Sequence, residues 1–266
     1  MTSTLFAASL QWHRKTGPML VLDPPIDMLP DGPAGPRRFK IKAADSESKR
    51  GLVSALLRSR YAWRGYKSSG LPKSSDSHRF TLVATEADQT IGTITVAFDG
   101  SSGLASEDSF PDEVESLRQQ GLRICEFTKL AIDPTVGTKR VLAALFHVAY
   151  IIAHRLRGYD LLLIEVNPRH RRYYERMLGM QLAGSERINR NVNAPAVLLC
   201  ATFSSIMSQI GQFGGKPELA EVERSLYPFA FSLTEEAGII ERLARQHGGL
   251  PDTVVSPLDL TAGRAE

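Results

Sequence analysis

Beyond Asp45, Leu52, Val53, Leu56 and Leu57 recur at helical spacing, with an acid in the first turn, and this predicts a helix ending near Arg60. Two β-rich runs, RFTLVATE and TIGTITVAF, flank the polar turn Ala87-Asp88-Gln89 and predict a β-hairpin. In the acidic connection that follows, Phe110-Pro111-Asp112-Glu113 starts a short helix through Leu117, which Gly121 ends. Next come a strand, RICEFTKLAI, a short loop over 133–138, a helical run, KRVLAALFHVAYIIAHRLR, and the apolar strand LLLIEV. That β-α-β order predicts two parallel strands. Pro168 opens a basic helix, RHRRYYERML, and Gly179 caps it. Strands over 181–184 and 196–203 end the core. LAEVERSL and TEEAGIIERLARQ predict two further helices around the apolar patch Leu226–Phe231.

This pattern divides the chain of 266 residues into three parts. Residues 1–40, with six prolines, form an arm in which regular structure is broken. Residues 41–203 form a mixed α/β core, and residues 204–266 form a helical lid or side layer. The longest nearly apolar stretch, Val141 to Ala153, contains His147 and falls short of the roughly 18 residues of a membrane span, so no integral membrane segment is expected. No basic residue precedes the short apolar patch of the first fifteen residues, which departs from a secretory signal and leads to the expectation of a cytoplasmic protein. Two cysteines, Cys125 and Cys200, are too few for a disulfide scaffold or a metal cluster.

The net charge of +3 conceals blocks of opposite sign. Residues 37–79 carry twelve Lys or Arg against three acids, residues 86–118 eight acids against one base, and residues 121–176 ten bases against five acids. Arg169, Arg171, Arg172 and Arg176 crowd into eight residues. These charges suit either an acidic partner or simple solubility. Little aromatic interleaving accompanies the basic segments beyond Tyr61, Trp63 and Tyr66, which argues against nucleic acid.

Four segments, LLRSRYAWRGY, GTITVAFDGSSGL, FPDEVESLRQQGLRICEFTKLAID and EVNPRHRRYYERMLGM, together resemble the FeeM-like N-acyl amino acid synthases. These belong to the Gcn5-related N-acyltransferase fold and are related to the acyl-homoserine lactone synthases. The resemblance covers roughly residues 56 to 203. It implies a mixed α/β fold of that type with a helical C-terminal addition. It also implies transfer of a fatty acyl group from acyl carrier protein to the amine of an amino acid, with no metal and no permanently bound cofactor. The donor would be acyl-phosphopantetheine on the carrier, with acyl-coenzyme A as the alternative.

Within that frame, Glu126 stands out as an acid in a mostly apolar strand, where burial without compensation costs several kcal/mol. It can serve as the general base for the incoming ammonium, its pKa raised by desolvation, or pair structurally with Lys129 or an arginine. Lys129, three residues on, falls on the opposite face of a regular strand unless a bulge intervenes. The resemblance gives Tyr174 the role of protonating the departing thiolate; the alternative is that Tyr173 and Tyr174 both pack under their helix. It sets Arg60, Tyr61, Arg64 and Tyr66 beside the acceptor pocket, where Arg60 can clamp a carboxylate bidentately or simply lie on the surface. The loop after the Glu126 strand matches the fold's phosphate-binding glycine pattern only at Gly137. This departure suits the single phosphodiester of a carrier-bound donor, with Gly137, Thr138, Lys139 and Arg140 as contacts, or marks a plain loop. Arg169, Arg171 and Arg172 are candidates for gripping an acidic carrier protein. The patch Leu226–Phe231 either lines an acyl groove or is lid packing. Enzyme alternatives are acyl-homoserine lactone synthesis and coenzyme A-dependent acylation of a small amine; outside enzymes, a non-catalytic carrier-binding module has the same features.

Overall fold

The computed structural model describes residues 39–62, 70–71, 78–133 and 139–246. Seven strands form one sheet: β1 (Lys40–Ala43), β2 (Arg79–Glu86), β3 (Gln89–Phe98), β4 (Ile124–Ile132), β5 (Leu161–Val166), β6 (Gln181–Asn189) and β7 (Ala194–Thr202), in the order β1-β2-β3-β4-β5-β7-β6. Only β4 and β5 run parallel, as the β-α-β order predicts; the other neighbours are antiparallel. Six α-helices accompany the sheet: α1 (Glu47–Ala62), α2 (Pro111–Gln119), α3 (Lys139–Tyr150), α4 (Arg171–Leu178), α5 (Phe203–Phe213) and α6 (Leu233–Gln246). A π-helical turn, Ile151–Arg155, continues α3.

The hairpin between β2 and β3 turns on Ala87 and Asp88 alone, both at positive φ (45° and 62°), the geometry whose twist matches its strands. Gly179 ends α4 at φ 69°, as a left-handed cap should. Three expectations need correction. Lys40–Ala43 is an edge strand, although the arm–core boundary was expected inside it. LAEVERSL is not an α-helix: a short 3₁₀ turn at Pro217–Glu221 leads into irregular chain. Val222 is 81% exposed while Leu226 is buried, so the segment's apolar residues do not share one buried helical face, and Leu226 N–H bonds the Met177 carbonyl at 2.9 Å. Finally, α5 follows β7 directly, where the sequence reading ran the strand to Phe203. Thr202 accepts from Ser205 N–H as its N-cap, and Phe203, Ile206, Met207 and Ile210 are buried at helical spacing.

The sheet divides its apolar side chains between two faces. One large cluster joins Cys125 and Phe127 of β4 and Leu162 and Ile164 of β5 to α3, α5, α6 and the chain from Leu226 to Phe231. The opposite face carries two smaller clusters. Phe110, Val114, Ile124, Leu161 and Leu163 meet around α2, while Val53, Leu57, Val83 and Ala131 meet around α1.

A buried ionic group ties α6 to α3. Glu236 lies 3.2 Å from His147 Nε2 and 3.1 Å from Arg155 of the π-turn, all three nearly sealed from solvent. His147 Nδ1 accepts the Phe231 N–H at 3.0 Å. Its proton therefore sits on Nε2 and is donated to Glu236.

Candidate active site

Between the α1 and α2 clusters the same sheet face turns polar. Arg79, Ala97, Glu126 and Leu163 stand opposite one another in a row across β2, β3, β4 and β5. Thr81, Thr95 and Thr128 form the neighbouring row, with Thr81 and Thr95 hydroxyls 2.8 Å apart. Glu126 lies at the centre of this trough and is 1% exposed.

Among the described residues its carboxylate is held by backbone alone. Ala105 N–H and Ser106 N–H, at the start of a 3₁₀ turn over Ala105–Asp108, both donate to Glu126 Oε2 at 2.8 and 3.3 Å. The turn is itself clamped. Glu107 Oε1 accepts the Leu104 N–H at 2.6 Å, and Arg118 of α2 joins Glu107 to Asp99. Among the described residues no ion pair joins Glu126 to Lys129 or an arginine, although the positive charge of Arg79 acts on it. Burial pushes the carboxyl up from 4.5 to about 7; negative charge on Glu165 adds to this, and the two N–H donors and Arg79 oppose it.

The bulge between Glu126 and the end of β4 is present. Thr95 faces Thr128 and Thr93 faces Ala131, so two residues on β4, Lys129 and Leu130, stand against Ile94 alone on β3. Lys129 takes the extra position at φ 51°. The bulge exchanges the faces: Cys125 and Phe127 precede it on the large-core side, and Leu130 and Ile132 follow it there. Burial and Arg79 lower the Lys129 pKa.

Pairing between β4 and β5 stops at Glu126–Leu163, although β4 runs on to Ile132 and β5 to Val166. Beyond Glu126 the two strands therefore part. Glu165 stands on β5 just past that point, on the Glu126 face, and accepts from Asn189 Nδ2 at 2.7 Å. The sequence reading missed Glu165 and Arg79. An acid in LLLIEV is the same signal that singled out Glu126, and it was available.

On the other face an apolar cavity of about 30 Å³ is walled by Phe127 and Leu162, by Phe146 and Tyr150 of α3, and by Leu226 and Tyr227. That is space for two or three waters. Leu226 and Tyr227, from the patch singled out in the sequence, are thus part of its wall. Tyr174 is half-buried against this large core, whereas Tyr173 is 38% exposed, with the two rings edge to face at 5.4 Å. Glu126 and Tyr174 thus lie on opposite faces of the sheet, on either side of the region where β4 and β5 stop pairing.

The remaining candidates are scattered around this region. Tyr61 packs on the α1 cluster, and Arg60 is half-buried in the last turn of α1. Lys139 and Arg140 open α3, and Arg140 stacks on Phe229 at 5.7 Å. Arg169, Arg171 and Arg172 line one depression with Glu175; Arg169 and Arg172 are exposed, while Arg171 is paired with Glu175 at 2.6 Å. Arg64, Gly137 and Thr138 lie outside the described residues.

A family model described as N-acyl amino acid synthase FeeM matches residues 53–202. The structure of FeeM, an N-acyl amino acid synthase from uncultured soil microbes, is similar at 23% identity and a TM-score of 0.58, covering 65% of this chain and 94% of that one. The acyl-homoserine lactone synthase LasI matches with 12% identity, TM-score 0.46, and 63% and 91% coverage. An acyl-CoA N-acyltransferase from Pseudomonas aeruginosa matches with 15% identity, TM-score 0.43, and 61% and 97% coverage. No curated protein matches the chain.

Proposed function

This chain belongs to the FeeM family of N-acyl amino acid synthases and is an N-acyltransferase; on that premise we propose that it moves a fatty acyl group from the phosphopantetheine thioester of acyl carrier protein to the amine of an amino acid. The observation that carries this reading is the buried Glu126 carboxyl, poised near neutrality beside the gap where β4 leaves β5. A general base works best when its pKa lies near the working pH.

In the proposed reaction the acceptor ammonium reaches Glu126 along the polar trough and gives up a proton to its carboxylate. The free amine attacks the thioester carbon, and a tetrahedral intermediate forms as the carbonyl π electrons move to oxygen. When the carbonyl re-forms, the C–S bond breaks, Tyr174 donates a proton to the departing thiolate, and the extra proton still carried by the attacking nitrogen passes to the Tyr174 phenolate, leaving a neutral amide and a regenerated tyrosine while Glu126 returns its own proton to solvent. Lys139 and Arg140 at the start of α3, with Gly137 and Thr138 before them, would hold the phosphodiester. Arg60, Tyr61, Arg64 and Lys129 would border the acceptor. A fatty chain would occupy the apolar cavity only with the Leu226–Phe231 wall displaced, since the cavity is too small for one.

Expression in a bacterium followed by mass spectrometry of solvent-extractable lipids tests the reading, because a new N-acyl amino acid names both substrates by its mass. Absence of any such product, with folded protein present, counts against it. Tyr174→Phe is expected to slow turnover roughly 10- to 1000-fold, the range of one proton donor; a larger loss in Tyr173→Phe would assign the donor to that ring. Reversing Arg169, Arg171 and Arg172 to glutamate should raise KM for the acyl carrier protein about tenfold or more and flatten its salt dependence. Transfer from a small pantetheine thioester should survive. Equal loss with both donors would place these arginines in the fold, and a wild-type preference for acyl-coenzyme A would overturn the carrier reading.

A further inference from the structure

We propose that Glu165 is the positioning residue for the acceptor, holding the substrate ammonium next to Glu126 before the proton leaves. The proposal rests on the acyl-transfer reading and adds a residue to it. Side chains alternate along β5: Leu162 and Ile164 enter the large core and Leu161 and Leu163 enter the α2 cluster, so Glu165 falls on the trough face. Leu163 is opposite Glu126, and Glu165 is two residues further along a parallel strand. Both side chains therefore stand on one face of the sheet at the point where pairing ends, close enough that the charge of Glu165 acts on Glu126.

Direction adds to position. Parallel strands point their C-terminal ends the same way, and it is at these ends that β4 and β5 separate. Glu165 is therefore nearer the mouth than Glu126. It is half-buried where Glu126 is sealed, so an entering cation meets Glu165 first. The Asn189 amide fixes one carboxylate oxygen at 2.7 Å and orients the group.

Other charged groups on the elements packed against this face are largely committed elsewhere. Glu107 of the 3₁₀ turn bonds Arg118 and Glu113 of α2 bonds Arg187, whereas Asp108 accepts from the neutral Asn191 amide, keeps its charge and acts on Glu165. Arg79 of β2, Lys129 of β4 itself and Arg60 of α1 are cations and cannot hold an ammonium. Among these carboxylates Glu165 is the one whose charge acts on Glu126, and burial raises its own pKa.

Glu165→Gln keeps the shape and an oxygen for Asn189 while removing the charge. Acyl transfer would be followed with a long-chain acyl-pantetheine donor and each common amino acid in turn, across pH 5 to 9. For the amino acid that turns over, KM should rise about 10- to 100-fold, as expected for losing a hydrogen bond to a charged group, with kcat changed far less. Inhibition by the des-amino acid of the same side chain should be unchanged. The rise of kcat/KM with pH should move to lower pH, because Glu126 ionises more readily once its anionic neighbour is gone. An unaltered KM and pH profile would overturn the proposal while leaving the acyl-transfer reading intact. Equal weakening of the amino acid and its des-amino counterpart would also overturn it, making Glu165 a scaffold residue. A wild-type protein that acylates no amino acid would sink the functional reading, and this proposal with it.

Discussion

Glu126→Gln should fold and lose about 10²- to 10⁴-fold in turnover, the contribution typical of a general base. The amide keeps an oxygen for the Ala105 and Ser106 N–H donors and cannot accept the ammonium proton. Wild-type kcat/KM should rise with pH through about 7, where Glu126 ionises, and that rise should disappear in the variant. Stability moves the opposite way. Because the folded-state pKa lies above the ordinary carboxyl value of 4.5, the folded protein holds this proton more tightly than the unfolded chain. The contribution is fully present below about pH 4.5 and is lost as pH rises through about 7. The ionised group then costs about 3 kcal/mol, from roughly 2.5 pKa units at 1.36 kcal/mol each. Thermal melts at pH 8 should therefore find the variant no less stable than wild type. Unchanged turnover at saturating substrate would remove Glu126 from the mechanism.

The second large effect concerns stability rather than chemistry. Glu236→Ala leaves Arg155, 5% exposed, as an unpaired buried charge, and removing one partner of such a pair typically costs about 3–5 kcal/mol. At about 2–4 °C per kcal/mol for a protein of this size, the melting temperature should fall by roughly 6–20 °C. Changing Glu236 to Leu together with Arg155 to Met should recover much of that loss, since the two apolar groups leave no charge behind. Calorimetry on both variants checks the pair of outcomes. A loss below about 1 kcal/mol in Glu236→Ala would show that Arg155 does not depend on Glu236.

Fold and family were legible because they rest on patterns that span many residues. The β-α-β run from Arg123 to Val166, the hairpin about Ala87-Asp88 and the Pro168-to-Gly179 helix each carry several agreeing signals. The misassigned segments carried one signal with a stronger competitor. LAEVERSL has helix formers throughout, but its Leu226 is drawn into the large core and its Val222 has nothing to pack on. Tertiary packing decided against propensity there. Glu126 was legible as an acid out of place in an apolar strand. Its partners were not, because the N–H donors of Ala105 and Ser106 lie twenty-odd residues away and leave no side-chain signature. Nor can the alternation of a strand reveal the bulge at Lys129, since the extra residue shows only in the register with β3.

The wall over the apolar cavity is attached mostly through main chain. Phe231 offers its N–H to His147 and Leu226 offers its N–H to the Met177 carbonyl, while Tyr227 adds a side-chain bond from its hydroxyl to the Leu178 carbonyl at 2.8 Å. Side chains at Leu226 and Ala230 can therefore change size without cutting the wall loose. Phe127 and Leu162, across the cavity, have no such freedom, because they neighbour the Glu126–Leu163 pair in the ladder. One wall can drift over generations while the other stays fixed. The C-terminal side of that wall also lies beyond residue 202, where the family match ends. The volume of the cavity can thus diversify among descendants of this chain at little cost to the trough on the far side of the sheet.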